Sequence, residues 1–575
     1  HMLYSPEAKS RLWRTIELHP REWHNYNMII LILSFFLLLF PASVQAKYDP
    51  RTVPNNKFGI HVADVNDIAD TAALVNSSGG DWGYVTIVMQ NNDRDFGKWH
   101  NIFNQMRRLH LIPIIRLATH PQGNYWTKPQ IVDANITAQF LDSLNWPIEN
   151  RYVVLFNEPN HAKEWGNEIN PEGYAEVFVT YAQALKSVSD DFFILPAGFD
   201  SSAANTSDTL DAEEFIKRMV VAKPEILDLL DGWTSHSYPN PGFSGSPLAR
   251  GKGTIRSYLW ELDFIGKNLP VFVTETGWVN TVANNLRTAA SSVWQDPAIV
   301  AVTPFVFSYQ GEPFDNFSWK KLGVNEFYPH YFEYQGLSKV KGTPKQRHSF
   351  IVGTSLIPDI LVSSSHYNLE LTIQNTGQAI VGTKEGYSVT LTAPVDFEII
   401  LDSIPSFEPG ETAAIKAKLT TPKTIGENKV KLSFIRGNET YTIEEKTVTI
   451  VPPPSLSVEA KLGWRRVSNA SDVTVLVYES DTIIHKFTGL SIDNGILSVD
   501  GLTDIIPGNS YRVVVLVPYY LPRQTVAILK GDITTLSFRR FLPLDINGDG
   551  ALTISDIVLL ITSRPADILP RFFGP

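Results

Sequence analysis

The segment from Tyr152 to Asn160 reads YVVLFNEPN and carries the pattern that decides the fold. Its first five residues are apolar and mostly β-branched or aromatic, which is typical of a buried strand in a parallel sheet. Asn157 and Pro159 then mark the end of that strand. Similar short apolar runs alternate with longer helical patterns from Phe58 to about Tyr309, and this alternation is the βα repeat of a parallel sheet.

Eight such runs are predicted as strands, at residues 58–62, 84–88, 112–116, 152–156, 192–196, 229–235, 271–274 and 302–308. Eight strand–helix units in roughly 300 residues match the usual size of a (β/α)₈ TIM barrel. The predicted fold class is therefore α/β with a TIM barrel. An open doubly wound sheet is the alternative.

The whole chain has 575 residues, which exceeds the size of a single hydrophobic core and predicts several domains. Hydrophobic residues make up 43% and charged residues 19%, as in ordinary globular proteins. The net charge of −11 argues against a nucleic-acid partner, because it would repel a phosphate backbone. The chain has no cysteine, which excludes disulfides, thiolate metal sites and a cysteine nucleophile. A monomer is expected.

Beyond about Ser349 the helical patterns give way to alternating polar and apolar residues, as in 368–373 and 429–434, which predicts a β-sandwich. The run Pro452-Pro453-Pro454 predicts a stiff linker, and the alternation then resumes as a second β-sandwich. The predicted domains are an N-terminal extension with a signal peptide at 1–46, a barrel at 47–348, sandwiches at 349–451 and 455–538, and a tail at 539–575.

The segment from Met28 to Phe40 reads MIILILSFFLLLF, and Val44-Gln45-Ala46 follows it. A short apolar run before small residues is typical of a secretory signal peptide, and it falls short of the roughly 20 apolar residues that span a bilayer. The sequence therefore predicts a secreted or cell-surface protein beginning at Lys47. A permanent membrane anchor is the alternative, if the leader is not cleaved.

The tail contains the loop DINGDGALTISD, from Asp545 to Asp556. Oxygen ligands at loop positions 1, 3, 5, 7, 9 and 12, with glycine at position 6, suit a structural calcium ion. The predicted ligands are Asp545, Asn547, Asp549, Ala551, Thr553 and Asp556. An Asx-rich turn before a helix is the alternative. The loop resembles one calcium repeat of a dockerin, the module that binds cohesin domains. Dockerins carry two such loops and this tail shows one, so a cohesin-type partner is doubtful.

Two glutamates end predicted strands: Glu158 follows the fourth and Glu275 the seventh. In a barrel the carboxyl ends of all strands surround one bowl, so both side chains should face the same cavity. A pair of carboxyl groups in one cavity is the equipment of glycosidic bond cleavage. Without such a cavity, Glu158 would be a helix N-terminal residue and Glu275 a surface charge.

The Asn-Glu-Pro at strand four and the glutamate at strand seven resemble clan A glycoside hydrolases, the 4/7 superfamily, over about residues 55–345. This resemblance implies that Glu158 is the acid/base, Glu275 the nucleophile, and Asn157 a ligand of the sugar 2-hydroxyl. Within the clan, His236 and Tyr238 at the end of strand six look most similar to family thirty-nine. In relatives the matching tyrosine hydrogen-bonds the nucleophile.

Four further residues are candidate substrate ligands. His236 and Tyr238 share one face of strand six, and packing in the barrel rim is their alternative. Arg116 ends strand three and could bind a carboxylate or a sugar, or form an ordinary ion pair in the barrel core. Trp278, three residues after Glu275, is the best candidate among several tryptophans for stacking on a sugar ring.

The predicted reaction is double displacement at a β-glycosidic bond of a polysaccharide or oligosaccharide, with the carboxyl groups about 5 to 5.5 Å apart and no catalytic cofactor. The acid must hold its proton while the nucleophile stays ionised. Two alternatives are a noncatalytic carbohydrate-binding or surface-attachment protein, and a transglycosylase that uses the same residues. The sequence specifies neither the sugar nor endo or exo action.

Overall fold

The computed structural model describes residues 47–279, 282–309, 311–312, 314–321, 323–353, 357–563 and 572. The predicted leader at 28–46 lies outside this part of the chain. Within the described ranges, no helix combines the length and the apolar character needed to cross a membrane.

The first half of the described chain is a mixed α/β unit with eight parallel strands. Their bounds are β1 Gly59–Val62, β2 Gly83–Gln90, β3 Leu111–Ala118, β4 Arg151–Leu155, β5 Phe192–Pro196, β6 Trp233–His236, β7 Val271–Glu275 and β8 Ile299–Val302. β1 to β5 form one sheet in chain order, and β8-β7-β6 form a second. Single parallel bridges join the two sheets at both open edges, between Phe58 and Val302 and between Asp200 and His236.

Helices connect these strands. Their bounds are α1 Ile68–Val75, α2 Phe96–Arg108, α3 Ala134–Ser143, α4 Pro171–Val188, α5 Ala212–Ala222, α6 Ile226–Leu229, α7 Ser257–Ile265, α8 Val282–Ser292 and α9 Pro329–Gly336. α4 shows why the sequence starts a helix where it does. The Asn170 side chain accepts a hydrogen bond from the Gly173 N–H, and Pro171 occupies the first turn, where no N–H is required.

Two predicted strands differ from the structure. The run at 302–308 is wrong as a strand, because β8 ends at Val302. Val306 and Phe307 are nevertheless fully buried, so their apolar character reflects packing in an irregular segment. The run at 229–235 begins too early, since Leu229 ends α6. Leu229 is the last helical residue and Leu230 follows it in an extended conformation, and a short apolar run does not distinguish a strand from a helix end.

Two apolar cores hold the α/β unit. One lies among the strands themselves, where Tyr84, Tyr152, Phe193 and Phe272 come from β2, β4, β5 and β7. Tyr152 and Phe272 pack with ring centroids 5.0 Å apart. The other core lies between the strands and the surrounding helices. Because the space among the strands is filled, the cavities described below open beyond the strand ends.

The rest of the chain is almost entirely β. The first group of strands comprises β9 Phe350–Val352, β10 Ile360–Val362, β11 His366–Asn375, β12 Tyr387–Thr392, β13 Glu398–Leu401, β14 Thr412–Thr420, β15 Gly426–Arg436 and β16 Glu439–Val451. They form two four-stranded sheets, β9-β11-β14-β13 and β10-β16-β15-β12. Exposed and buried residues alternate along β14, as expected when one face of a sheet covers a core.

A second group follows: β17 Ser455–Glu459, β18 Ala470–Glu479, β19 Thr482–Ile492, β20 Ile496–Val499, β21 Ser510–Leu516, β22 Arg523–Ile528 and β23 Ile533–Ser537. Its sheets are β20-β17-β23 and β19-β18-β21-β22. The two groups touch directly, since the Tyr367 hydroxyl donates to the Ile505 carbonyl at 3.0 Å. The tail adds the short helix α10, Ile554–Thr562.

Candidate active site

Glu158 and Glu275 meet in one cavity of about 650 Å³, as predicted for residues at the carboxyl ends of parallel strands. We call it the carboxylate cavity. Glu275 is the last residue of β7, and Glu158 follows β4 by three residues. A carboxylate oxygen of Glu158 lies within 4.8 Å of a carboxylate oxygen of Glu275. A ring nitrogen of His236 lies within 4.8 Å of both oxygens.

The turn that carries Glu158 has unusual backbone geometry. Phe156 has φ of 75° and Glu158 has φ of 27°, so both lie in the left-handed region that residues with a Cβ rarely adopt. The Glu158 N–H donates to the Gly198 carbonyl at 3.1 Å, and the His161 N–H donates to the Glu158 carbonyl at 2.9 Å. These contacts fix the turn and direct the Glu158 carboxyl group into the cavity.

Four side chains surround the Glu275 carboxylate. Arg116 donates from Nη1 to Oε1, and the Tyr238 hydroxyl donates to Oε2 at 3.1 Å. His236 Nδ1 lies 3.6 Å from Oε2 and His61 Nε2 lies 3.9 Å from Oε1. Burial alone would raise the pKa of Glu275, but the charges of His236 and Arg116 outweigh it and lower the pKa to about 2. Glu275 is therefore ionised near neutral pH.

His236 bridges the two carboxyl groups. Its Nδ1 lies 2.9 Å from Glu158 Oε1, and its side chain is fully buried at the end of β6. Burial lowers its pKa, yet the charge of Glu275 and the hydrogen bond to Glu158 raise it overall above the ordinary value. The ring packs against Gly198, where an added Cβ would lie 2.1 Å from the His236 Cδ2. Only glycine leaves room for the imidazole at this point.

Asn157 is oriented by two partners. Its Oδ1 accepts from Arg116 Nη1 at 2.7 Å, and its Nδ2 donates to Glu164 Oε2 at 3.2 Å. Since a guanidinium only donates, the Arg116 contact defines which side of the amide is oxygen. Burial, and next the charge of Glu158, raise the pKa of Glu164. A chain of hydrogen bonds thus runs from Glu275 through Arg116 and Asn157 to a third carboxyl group.

Trp278 is placed differently from the expectation. Its side chain is 1% exposed, and its Nε1 donates to the Gly245 carbonyl at 2.9 Å. A buried indole offers no face to a sugar, because its ring is already covered by protein. Of the other tryptophans in loops and at strand ends, Trp126 lines the carboxylate cavity, whereas Trp82, Trp165, Trp294 and Trp319 do not. The aromatic wall of the cavity is formed instead by the exposed Phe243, Tyr309 and Phe314, with Phe305 and the buried Phe317 behind them.

Sequence reasoning missed His61, which lies in β1 and lines the carboxylate cavity. It is 2% exposed, and neither ring nitrogen has a hydrogen-bond partner within the described part of the chain. Burial and the charge of Arg116 lower its pKa to about 3, so the imidazole is neutral near pH 7. One signal was available: His61 interrupts an otherwise apolar strand run.

His161 and Asp200 form another pair missed from the sequence. His161 Nε2 lies 2.9 Å from Asp200 Oδ2, and both residues line the carboxylate cavity beside Glu158. Burial lowers the pKa of His161, but the hydrogen bond to Asp200 and the charge of Glu158 raise it overall. The pair adds a cation–carboxylate contact on the Glu158 side of the cavity.

The predicted calcium ligands occupy one loop of the tail. Asp545 Oδ2 accepts from the Gly550 N–H at 3.1 Å, whereas Asp545 Oδ1 is buried and has no hydrogen-bond partner in the described residues. Asp556 accepts from the N–H groups of Ile546, Asn547 and Thr553, at 2.8, 3.1 and 2.8 Å. Asp556 therefore also holds the loop together and caps α10.

Comparison with known proteins gives structural likenesses only. No family model matches the chain, and no curated protein sequence matches it. The chain is similar to a family 39 glycoside hydrolase from Bacteroides cellulosilyticus, with 16% identity and a TM-score of 0.36 over 65% of this chain and 82% of that one.

Two further likenesses are also to glycoside hydrolases. An endo-β-1,4-glucanase from Xanthomonas axonopodis matches at 14% identity and a TM-score of 0.35, over 48% of this chain and 97% of that one. An endo-1,4-β-mannanase from Eisenia fetida matches at 11% identity and a TM-score of 0.32, over 49% and 90%. These scores are too low to assign a residue role, so the roles proposed below depend on the geometry of the cavity.

Proposed function

We propose that this protein is a retaining glycoside hydrolase that cleaves β-glycosidic bonds of a polysaccharide or oligosaccharide by double displacement. The observation that carries the proposal is the short separation of the two carboxyl groups, with oxygens within 4.8 Å across one cavity. Retaining glycosidases hold their carboxyl groups about 5 to 5.5 Å apart, whereas inverting enzymes leave about 6.5 to 9.5 Å for a water molecule. The bridged arrangement of two parallel sheets supports a (β/α)₈ barrel as the scaffold.

The electrostatics divide the roles. Glu275 is held ionised by His236 and Arg116, which suits the nucleophile that attacks the anomeric carbon. The Glu158 side chain is more exposed than that of Glu275, 18% against 9%, and it lines the cavity together with His161 and Asp200. It is the group that protonates the leaving oxygen and then activates water. Asn157, whose amide is held by Arg116 and Glu164, binds a hydroxyl group of the sugar.

A panel of polysaccharides and aryl β-glycosides tests this function. Wild-type protein should release reducing sugar or aryl alcohol with retained anomeric configuration, while E275Q should lose at least about 10³-fold in kcat, because it lacks the nucleophile. Binding without cleavage would favour the noncatalytic carbohydrate-binding alternative. Transfer of the glycosyl group to a sugar acceptor in preference to water would identify a transglycosylase.

We also propose a structural calcium ion in the tail and secretion of the chain. The unpaired, buried Oδ1 of Asp545 supports the calcium site, because a buried carboxylate oxygen normally has a partner. The Ala551 carbonyl and the side chains of Asn547, Asp549, Thr553 and Asp556 complete the proposed donor set of oxygens. The leader pattern supports secretion, and N-terminal sequencing of protein from the native host should find Lys47 first.

A further inference from the structure

A second cavity adjoins the carboxylate cavity. It has a volume of about 690 Å³, and we call it the outer cavity; Asp64, Lys320, Val324 and Asn325 are among its lining residues. Ala63 and Tyr309 line both cavities, so the two spaces are neighbours. Each volume lies within the roughly 300–1,000 Å³ typical of small-molecule sites. Together they offer about twice the room of the carboxylate cavity alone.

The outer cavity lies away from Glu158. Ala63 follows β1 and Tyr309 follows β8, whereas Glu158 follows β4. In the strand order, β4 and β8 are four places apart and thus on opposite sides, while β7 with Glu275 is adjacent to β8. The acid faces the leaving group and the nucleophile faces the anomeric carbon of the sugar that is retained. The outer cavity is therefore on the glycone side of the bond to be cleaved.

The floor of the outer cavity is held by an ion cluster. Lys320 Nζ donates to Asp67 Oδ1 at 2.9 Å and to Asp70 Oδ2 at 3.1 Å, and the Ser308 hydroxyl donates to Asp67. The Asp67 side chain is only 9% exposed, so its contacts are shielded from water, whereas Asp70 is 40% exposed. A floor fixed in this way is pre-organised, which reduces the cost of ordering a ligand.

The rim and the junction supply the two kinds of contact that a sugar needs. Asp64 and Asn325 line the cavity with carboxylate and amide groups, which hydrogen-bond hydroxyl groups. Tyr309 stands at the junction, is 36% exposed, and is supported edge-on by Phe314 with ring centroids 5.5 Å apart. An exposed flat ring between the two cavities can stack on a sugar that lies across the junction.

We propose that the outer cavity is a second glycone-side sugar-binding site, with Tyr309 stacking on the sugar between the two cavities. The inference rests on the proposed function and extends it. The substrate is then a chain with at least two sugar residues on the glycone side of the cleaved bond, and single-sugar glycosides are poor substrates.

The test compares 4-nitrophenyl glycosides in matched pairs: xyloside with xylobioside, glucoside with cellobioside, and mannoside with mannobioside, all β-linked. For the pair that is hydrolysed, kcat/KM for release of nitrophenol should be at least tenfold higher with the disaccharide. Y309A and N325A should each lower the ratio of kcat/KM for the disaccharide to kcat/KM for the single sugar, and Y309A should lower it to near one. Y309F keeps an aromatic face for stacking, so it should keep the wild-type ratio. Y328A, an exposed tyrosine outside both cavities, is the matched control and should keep the wild-type ratio.

The outcomes separate the two proposals. Hydrolysis of single-sugar glycosides with no preference for disaccharides would overturn the outer site and leave the hydrolase intact. A wild-type ratio in both Y309A and N325A would also overturn it. Hydrolysis of none of the pairs, and of nothing in the panel of polysaccharides and aryl β-glycosides, would overturn both proposals. N325A alters an exposed side chain, so its ratio remains informative if Y309A is unstable.

Discussion

The amide of Asn157 donates to Glu164 Oε2 at 3.2 Å, although Glu164 lies seven residues further along the chain. Arg116 holds the other side of the same amide. Asn157 therefore presents its remaining N–H in a fixed direction, and Glu164 controls that direction without touching the two reacting carboxyl groups. Glu164 is thus a positioning residue for the sugar ligand.

Activity should survive replacement of the Glu164 carboxyl group by an amide, but not removal of the group. E164Q keeps an oxygen that accepts from Asn157, so we expect kcat/KM to stay within a few-fold of wild type. E164A removes that acceptor and should lower kcat/KM about tenfold or more, as for a hydrogen bond of ~1.5 kcal/mol to a charged group. E168A is the matched control, because Glu168 is an exposed glutamate paired with Lys128 outside the cavity. Equal losses in E164Q and E164A would contradict the positioning role.

Tyr238 should contribute to the rate through its hydroxyl group alone. Burial, and next the charge of Glu275, raise its pKa well above 10, so it remains a donor across the working pH range. Y238F removes the hydrogen bond to Glu275 and keeps the ring. We expect kcat to fall roughly 10- to 100-fold, which corresponds to about 1.5–3 kcal/mol. Y181F is the matched control, because it removes the hydroxyl of a buried tyrosine that donates a hydrogen bond to the Gln130 carbonyl outside the cavity. It should leave kcat unchanged. An unchanged kcat in Y238F would refute the role.

The sequence predicted the positions of the two glutamates because strand ends are local features. A run of apolar residues followed by Asn-Glu-Pro identifies where β4 stops, and the side chain after it must project beyond the sheet. The same local reasoning failed at residues 302–308, where burial of Val306 and Phe307 comes from tertiary packing and not from a strand.

The surroundings of the glutamates were less accessible to sequence reasoning. Trp278 and Phe305 are both aromatic residues near strand ends, yet one is buried and the other lines the cavity. The Glu164–Asn157 contact depends on the course of the turn after β4, and His61 reaches Glu275 only because β1 and β8 are bridged. The His61 contact joins distant parts of the chain and the Glu164 contact depends on an irregular turn, and no local pattern encodes either of them.

His61 should make stability depend on pH. Its pKa in the folded protein is about 3, below the ordinary value of 6.5, so between these pH values the unfolded chain binds more protons. The folded protein therefore has its full stability with respect to His61 above pH 6.5, and it loses stability as the pH falls towards 3. H61Q lacks this titrating imidazole. Its free energy of unfolding should therefore fall less than that of wild type between pH 7.5 and pH 4.5, by roughly 2 kcal/mol.

Urea unfolding followed by tryptophan fluorescence at both pH values measures this difference. H120Q serves as the control, since His120 is exposed. It should lose as much free energy as wild type. A loss in H61Q equal to that of wild type would mean that His61 is not held neutral by its surroundings.

Calcium should stabilise the tail through Asp545. In the full-length protein, we expect calcium to bind with measurable heat and to raise the unfolding temperature relative to chelator, because the ion binds only the folded loop. D545A should abolish both effects. D481A, which changes a fully exposed aspartate in the same β-rich half, should bind calcium like wild type. Absence of calcium-dependent heat in the wild-type protein would exclude the site.

The roles of the two glutamates predict opposite stereochemistry when azide rescues each variant. In E158A the nucleophile Glu275 is intact, so an aryl glycoside with a good leaving group still forms the glycosyl-enzyme without acid assistance. Breakdown then stalls, because water lacks its general base. Azide needs no base, and it attacks the intermediate from the face that water would use. The product should be a glycosyl azide with the anomeric configuration of the substrate.

In E275G no glycosyl-enzyme forms, and azide takes the space of the missing carboxylate, between Arg116, Tyr238 and His236. It attacks the substrate directly while Glu158 still protonates the leaving group, so one displacement occurs and the glycosyl azide has the inverted configuration. Nuclear magnetic resonance of the two products reads both configurations. E261Q is the matched control. It changes a buried glutamate that accepts a hydrogen bond from Trp233 outside the cavity, so it should remain active without azide. Exchanged configurations would reverse the assignment of acid/base and nucleophile, and wild-type activity in both variants would show that neither glutamate reacts.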